Sequence, residues 1–310
     1  MTEKSGNPFD TVFSPDAAPP EVVAFNARAA QMMRDLPGLW DIGIAKARAG
    51  GFMPQAPRSS RSFDRKLGNV DVHVVPAESP RGIYLHIHGG ALLLGSAAGQ
   101  DPMLEGIARE VGVTCVSVEY RLAPEHTYPA AWDDCEAVAG WLAHHAKAEF
   151  GTEVLFIGGE SAGAMLAVST LLRLRDQHHY SGFRGALLNF GLYDHGLTPS
   201  ARTATRGIIR TRDVVRNTAA YCPDVSVVQS PDVSPLYADL RRLPPALFTV
   251  GAQDGFLDDS MFMYCRWLSA GNRAQIAVWP GADHAFTETP HPSAAPALAR
   301  MRAFLRECLT

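Results

Sequence analysis

The chain predicts an α/β fold, a mostly parallel central sheet with helices on both faces, and two observations carry that prediction. Short apolar runs alternate with stretches of helical apolar spacing over most of its length. Gly159-Glu160-Ser161-Ala162-Gly163 lies between one such run, Val154 to Ile157, and one such stretch. That is the strand–turn–helix setting in which a G-x-S-x-G segment lifts a serine hydroxyl clear of a sheet.

In chain order, residues up to about 20 are polar and rich in Pro and Asp and read as flexible, without the apolar core of a signal peptide. From Glu21 to about Ala49, Val22, Phe25, Ala29, Met32 and Leu36 recur at helical spacing, broken near Pro37, as one or two amphipathic helices. Ser59 to Ser62 reads as a polar connector. Val70–Val75 alternates as a half-buried strand should, and further strand candidates follow as short apolar runs at Ile83–Ile87, Val113–Val118, Val154–Ile157, Ala186–Phe190, Ala246–Val250 and Ile276–Trp279. Helical patterns fall at Pro102–Glu110, Ala130–Ala148, Ala162–Leu174, Asp258–Ala270 and Ala294–Cys308. Nearly fifty residues, His195 to Leu243, break the alternation; an insertion of that length reads as a lid with its own helices. The expected organisation is therefore an N-terminal segment over 1–60, a core over 61–194 and 244–310, and a cap insertion over 195–243.

Of 310 residues, 46% are apolar and 19% charged, as in a globular chain with an ample core. A net charge of −4 without a Lys/Arg stripe speaks against nucleic acid, and no apolar run approaches membrane-spanning length. Cys115, Cys135, Cys222, Cys265 and Cys308 are odd in number, spread out and free of any C-x-x-C pair. The expectation is reduced thiols in a cytoplasmic protein, with Cys115 as a small core residue. Phosphate-cradling glycine patterns are absent, so no cofactor is expected; the pair His86 and His88 lacks further ligands, so no metal is expected either.

A serine becomes a nucleophile only when a base takes its proton, and the base needs an acid to hold its tautomer. Of eleven histidines, only His284 and His291 follow the last strand candidate. His284 sits in a Gly-containing loop beyond the strand end, whereas His291, between two prolines, reads as a surface loop residue. Asp254 directly follows the preceding strand and is favoured as the acid; Asp258 and Asp259 read better as charges at a helix N-terminus. Tetrahedral intermediates also need N–H donors for their oxyanion. Ala162 can supply one, and the loop His88-Gly89-Gly90-Ala91 the others, with Ala91 donating if its φ stays negative.

With these motifs in order, the chain resembles the hormone-sensitive-lipase-like (bacterial family IV) esterases of the α/β-hydrolase superfamily. His88-Gly89-Gly90-Ala91 resembles the family's H-G-G-G, and Gly159 to Ala164 its G-D-S-A-G-G. Tyr120-Arg121-Leu122-Ala123-Pro124-Glu125-His126 and Pro129 to Asp134 match its Y-R-L-A-P-E-H and P-A-x-x-D-D segments. Asp254 and Asp258 resemble its D-P-L-x-D, and His284-Ala285-Phe286 its H-x-F. The resemblance spans about residues 70 to 310. It implies an α/β-hydrolase fold with a helical cap and a triad of Ser161, Asp254 and His284. It implies an oxyanion hole from Gly89, Gly90, Ala91 and Ala162, with structural support from His88 and Glu160. Ala91, Glu160 and Ala164 depart from the commoner residues; Ala91 puts bulky alcohols in doubt, and Glu160 is expected to accept hydrogen bonds as the family aspartate would.

Other readings accompany these. Ser161 could be a plain helix N-cap, and His86 a satisfied core or rim histidine. Arg121, Glu125, Asp133 and Asp134 read as one buried ion-pair network beneath the site. The histidine pairs 144–145 and 178–179 read as solvated, and Trp132, Trp141, Trp267 and Trp279 as packing residues. Phe25, Met32 and Leu192 are candidate pocket linings. The leading function is a serine carboxylesterase for short-chain acyl esters, with a small-molecule ester as partner and a homodimer possible. An amide or N-acyl hydrolase (deacetylase or arylformamidase-like) would share the triad. A non-catalytic receptor would lack the catalytic histidine, and dehalogenases or epoxide hydrolases would need an Asp where Ser161 stands.

Overall fold

The computed structural model describes residues 9–14, 16–34, 37–51, 57–205 and 207–310. Eight strands form one sheet: β1 Phe63–Leu67, β2 Val70–Val75, β3 Gly82–Ile87, β4 Val113–Val118, β5 Leu155–Glu160, β6 Phe183–Asn189, β7 Ala246–Gly251 and β8 Ala274–Trp279. Their spatial order is β1-β2-β4-β3-β5-β6-β7-β8. The β1–β2 and β2–β4 pairs are antiparallel and all the others parallel.

Strands β3, β4, β5 and β7 are buried along their whole length because helices cover both faces of the sheet. Tyr84, Phe156, Leu187 and Leu247 pack with Leu104, Ile107, Phe304 and Leu305 on the face covered by helices Asp101–Val111 and Ala294–Leu309. Their sequence neighbours Leu85, Ile157, Leu188 and Phe248 turn to the other face. There they meet helices Ala130–Phe150, Ala162–Gln177 and Leu257–Ser269. Period-two alternation thus sorts one continuous apolar run onto two cores. Trp132 and Trp267 are fully enclosed, and each donates its indole N–H to a carbonyl, of Asp232 and Pro244 respectively. Cys115 is buried in the sheet, and all five cysteines are free.

β1 was not foreseen. Its Phe63-Asp-Arg-Lys-Leu sequence carries three charges, and only Leu67 is buried. It pairs as an edge strand, where charged side chains stay in water. Val70–Val75 was expected to alternate, yet from Val72 onward every residue is buried, because β2 lies inside the sheet between β1 and β4.

The N-terminal pattern forms helix Pro20–Met33, then short turns over Leu39–Ile42 and Ile44–Lys46. Val22 is buried, but Met32 is 75% exposed to solvent; Leu36 lies outside the described residues. The helix docks on the loop after β8: Asn26 donates to the Gly281 carbonyl at 2.7 Å and Phe25 meets the His291 ring edge-on at 5.0 Å. Between β6 and β7 stand helices Pro199–Thr203 and Thr211–Tyr221. Trp40 Nε1 donates to Asn217 Oδ1 at 3.0 Å, tying the N-terminal segment to this insertion. Leu192 is enclosed by Ala201, Val214 and Phe256, a packing role rather than a pocket lining.

Arg121, Glu125, Asp133 and Asp134 do not form one buried network. Arg121 pairs with Asp134, Glu125 with Arg48 and Asp133 with Arg173, and Arg121, Glu125 and Asp133 are largely exposed. The buried knot is Arg173, which reaches Asp133, Glu136 and Asp232 at 2.6–3.0 Å and so fastens the insertion to two core helices. Among the described residues no helix is long and apolar enough to cross a membrane.

Candidate active site

The turn at Ser161 follows from two close approaches. A Cβ on Gly159 or Gly163 would fall inside contact distance of the Ile87 carbonyl oxygen, so β3, β5 and the helix start can meet only with glycine at both positions. Ser161 itself has φ 54° and ψ −118°, a conformation that costs a side-chain-bearing residue about 1–3 kcal/mol and that the surrounding packing holds in place. Its N–H donates to the Asn189 carbonyl at 2.9 Å. The helix begins at Ala162, so Ser161 is the residue before its first turn, but its side chain makes no capping bond.

The hydroxyl instead faces a base. Ser161 Oγ lies 3.0 Å from His284 Nε2, and His284 Nδ1 lies 2.9 and 3.1 Å from the two oxygens of Asp254. Asp254 Oδ1 also accepts the Phe256 N–H at 2.8 Å, which fixes the carboxylate plane. The imidazole stands edge-on to Phe190 and Phe256, with ring centres 4.9 and 5.3 Å away, in a largely water-free seat. Burial pulls the His284 pKa down, but the Asp254 carboxylate, with Asp283 and Glu288 adding to it, more than offsets that and leaves the ring above its ordinary value. Asp283 accepts the His284 N–H at 2.7 Å and so shapes the loop.

Beside the nucleophile runs the loop after β3. A Cβ on Gly89 would sit 3.5 Å from Ser161 Cβ, which places this backbone against the nucleophile. Gly90, Ala91 and Leu92 have φ of 112°, 56° and 61°. The condition set for Ala91, a negative φ, is therefore not met. Leu93 and Leu94 donate to the Gly90 carbonyl, closing a turn whose central residues are the left-handed Ala91 and Leu92. Among the described residues, the N–H groups of Gly89, Gly90, Ala91 and Ala162 have no intramolecular acceptor. They remain available to an oxyanion.

His88 braces this loop: its Nδ1 lies 2.7 Å from the Gly89 carbonyl, its ring stacks on Tyr120 at 4.1 Å, and burial drops it to about 3, hence neutral. Glu160 is fully buried, receiving His86 Nε2 at 2.7 Å and Asn189 Nδ2 at 3.2 Å, while His86 Nδ1 meets Ser117 Oγ at 2.7 Å. His86 is thus a satisfied core histidine and the anchor of Glu160.

Three outcomes differ from the sequence reading. His291 is 5% exposed, not a surface residue, because the N-terminal helix covers it through Phe25. Asp258 and Asp259 do lie in a helix first turn, yet Asp259 is buried and accepts the N–H groups of Tyr193 and Asp194, and Asp258 accepts that of Ser200. Both carboxylates clamp the insertion. Glu288, four residues after His284, was not anticipated: it lines a cavity of about 730 Å³ together with His88, Gly89, Gly90 and Gln100. No local signal marks it, since only the short turn Phe286–Glu288 aims it there.

A family profile described as alpha/beta hydrolase fold matches residues 84–288, two thirds of the chain. The chain belongs to this family. An acetyl esterase of Salmonella schwarzengrund (strain CVM19633) is 32% identical to the hydrolase over 218 residues, covering 68% of this chain and 67% of that one. A crystal structure of EstE5 soaked with p-nitrophenyl butyrate superposes with a TM-score of 0.82 at 25% identity, over 94% of this chain and 99% of that one. An esterase from the bacterial hormone-sensitive lipase family gives 0.79 at 27% identity, over 95% and 100%. The hydrolase is a serine carboxylesterase of this esterase group.

Proposed function

We propose that the hydrolase cleaves short-chain acyl esters by a two-step mechanism on Ser161, His284 and Asp254. The observation that carries this reading is the unbroken relay from Ser161 Oγ through His284 to Asp254, with contacts of 2.9–3.1 Å. Ser161 Oγ attacks the ester carbonyl carbon while His284 Nε2 takes its proton. The oxyanion lies against the N–H groups of the Gly89–Ala91 loop and Ala162; losing one such donor typically raises the barrier by about 2.7–4 kcal/mol. His284 then gives the proton to the leaving alcohol oxygen as the C–O bond breaks, leaving an acyl-Ser161 ester. Water, deprotonated by His284, attacks that ester and releases the acid and free Ser161. Asp254 holds the imidazole in the tautomer with its proton on Nδ1 and stabilises the imidazolium. The N-terminal segment and the insertion between β6 and β7 act as a cap over this site; the Trp40–Asn217 bond that joins them supports this.

Short acyl chains are favoured because the relatives include acetyl esterases and an esterase soaked with a butyrate ester. The reading extends to a cytoplasmic protein, supported by five free thiols, and to pairing of two copies through the exposed edge of β8, which light scattering tests. The deciding experiment follows p-nitrophenol release from the acetate, butyrate and decanoate esters by wild type and Ser161→Ala. Rates should fall from the short esters to decanoate, with a loss of at least about 10⁴-fold in the variant. Full activity in Ser161→Ala overturns the nucleophile, and a preference for decanoate overturns the short-chain assignment.

A further inference from the structure

The cavity beside the oxyanion loop is lined by the N–H groups of Gly89 and Gly90, free among the described residues, and by several carboxylates. Its arginines are already engaged: Arg48 holds Glu125 and the Leu93 and Ala123 carbonyls, and Arg58 holds Asp64. Among the described residues Glu288 forms no ion pair with a Lys or Arg; burial, with the nearby Glu160 charge, pushes its carboxyl up to about 7, against the Gln100 side-chain hydrogen bond and the His284 charge, which favour the ionised form. His88, in the same wall, has its Nδ1 proton committed to the Gly89 carbonyl, so Nε2 carries a lone pair. That atom is buried and has no partner among the described residues. Glu288 therefore presents an acceptor in the wall beside the oxyanion loop, with the Gln100 amide next to it. A purely alkyl group in this space offers that carboxyl no donor, and a carboxylate meets another carboxylate.

We propose that this cavity receives a hydrogen-bond-donating substituent of the ester, a hydroxyl or an ammonium group, and that Glu288 is the residue that selects it. The inference rests on Ser161 being the esterase nucleophile. It deepens the short-chain reading: the favoured substrates are small esters with a polar donor a few bonds from the carbonyl rather than plain alkyl esters. The cavity is large enough for such a group, and its position against Gly89 and Gly90 puts the substituent beside the carbonyl oxygen. Glu288 touches the substituent and not the reacting atoms, so it is a specificity residue.

Alkylboronic acids test this, because boron bonds to the serine and the alkyl arm samples whichever pocket suits it. Inhibition constants are measured for pentyl-, 5-hydroxypentyl-, 5-aminopentyl- and 4-carboxybutylboronic acid with wild type, Glu288→Gln and Glu288→Leu. The readout is the ratio of each constant to that of the pentyl compound in the same variant, so a general change in the protein cancels. At least one donor-bearing compound should bind wild type about tenfold more tightly than pentyl, and the carboxylate more weakly than pentyl. Preference for the amine alone assigns an ammonium partner of ionised Glu288, and it should collapse in Glu288→Gln. Preference for the hydroxyl as well assigns a neutral acceptor, and it should survive in Glu288→Gln but vanish in Glu288→Leu. Pentyl binding as tightly as both donor compounds, or a donor preference that persists in Glu288→Leu, overturns the assignment while leaving Ser161 chemistry intact. If none of the four inhibits a wild type that hydrolyses p-nitrophenyl acetate, the serine mechanism falls and this inference with it.

Discussion

Replacing Asp254 by Asn tests the relay more sharply than removing the nucleophile, because the outcome follows from two hydrogen bonds. Asp254 Oδ1 accepts the Phe256 N–H at 2.8 Å, and an Asn side chain keeps that bond by turning its own oxygen there. Its NH₂ then faces His284 Nδ1, where the carboxylate oxygen now sits at 2.9 Å. A donor in that place forces Nδ1 to carry a lone pair and moves the ring proton to Nε2, the atom 3.0 Å from Ser161 Oγ. The base then arrives already protonated on the side where it must accept. A wrong tautomer in an otherwise intact triad lowers kcat by about 10⁴, equivalent to about 5.4 kcal/mol of barrier. The pH behaviour changes as well. In the native protein His284 is held above its ordinary value of 6.5, so its contribution to stability is present below that value and is lost as pH rises through the raised one. Without the carboxylate, burial dominates and the pKa falls below the ordinary value; stability is then present above the ordinary value and is lost as pH falls through the depressed one. The assay is kcat and kcat/KM for p-nitrophenyl acetate over pH 5 to 9 for both proteins. The acid limb, which reports deprotonation of His284 in the free enzyme, should move to lower pH in Asp254→Asn. A loss below about tenfold at the plateau, or an acid limb that stays in place, refutes the reasoning.

Other outcomes follow from the same geometry. Ala91→Gly relieves a left-handed alanine worth about 1–2 kcal/mol but adds unfolded-chain freedom worth about 0.4–1, so Tm should rise by about 2 °C or less; a clear drop contradicts the assignment of strain. Gly163→Ala pushes a Cβ into the Ile87 carbonyl, backbone against backbone, and should abolish soluble active protein; wild-type activity would show that the helix start can move. Arg173→Met strips the shared cation from Asp133, Glu136 and Asp232 and should cost about 3–5 kcal/mol in a denaturant titration. A change below 1 kcal/mol there means that the three carboxylates find water instead.

Much of this hydrolase is local chemistry and so is written locally. Apolar runs bounded by turn residues mark six strands, because both faces of a parallel sheet must be buried, and the alternation of Val70–Val75 marks a seventh. Ser161 is legible because a tight strand-to-helix turn demands glycine at fixed offsets. Asp254 and His284 are legible because each sits just past a strand end in the loops that a parallel sheet gathers at one edge. β1 escaped because an edge strand tolerates charge and so loses the apolar signature. The tertiary structure alone decided contacts between residues far apart in sequence that no spacing records. It placed Arg173, not Arg121, at the centre of the buried ion pairs, buried His291 under Phe25, and turned Asp258 and Asp259 from helix charges into clamps. It also set Glu288 in the cavity wall and gave Ala91 a positive φ inside the turn closed on the Gly90 carbonyl. Periodicity reports which face of an element is buried; what lies against that face depends on how the elements pack, and there the specificity of this site is decided.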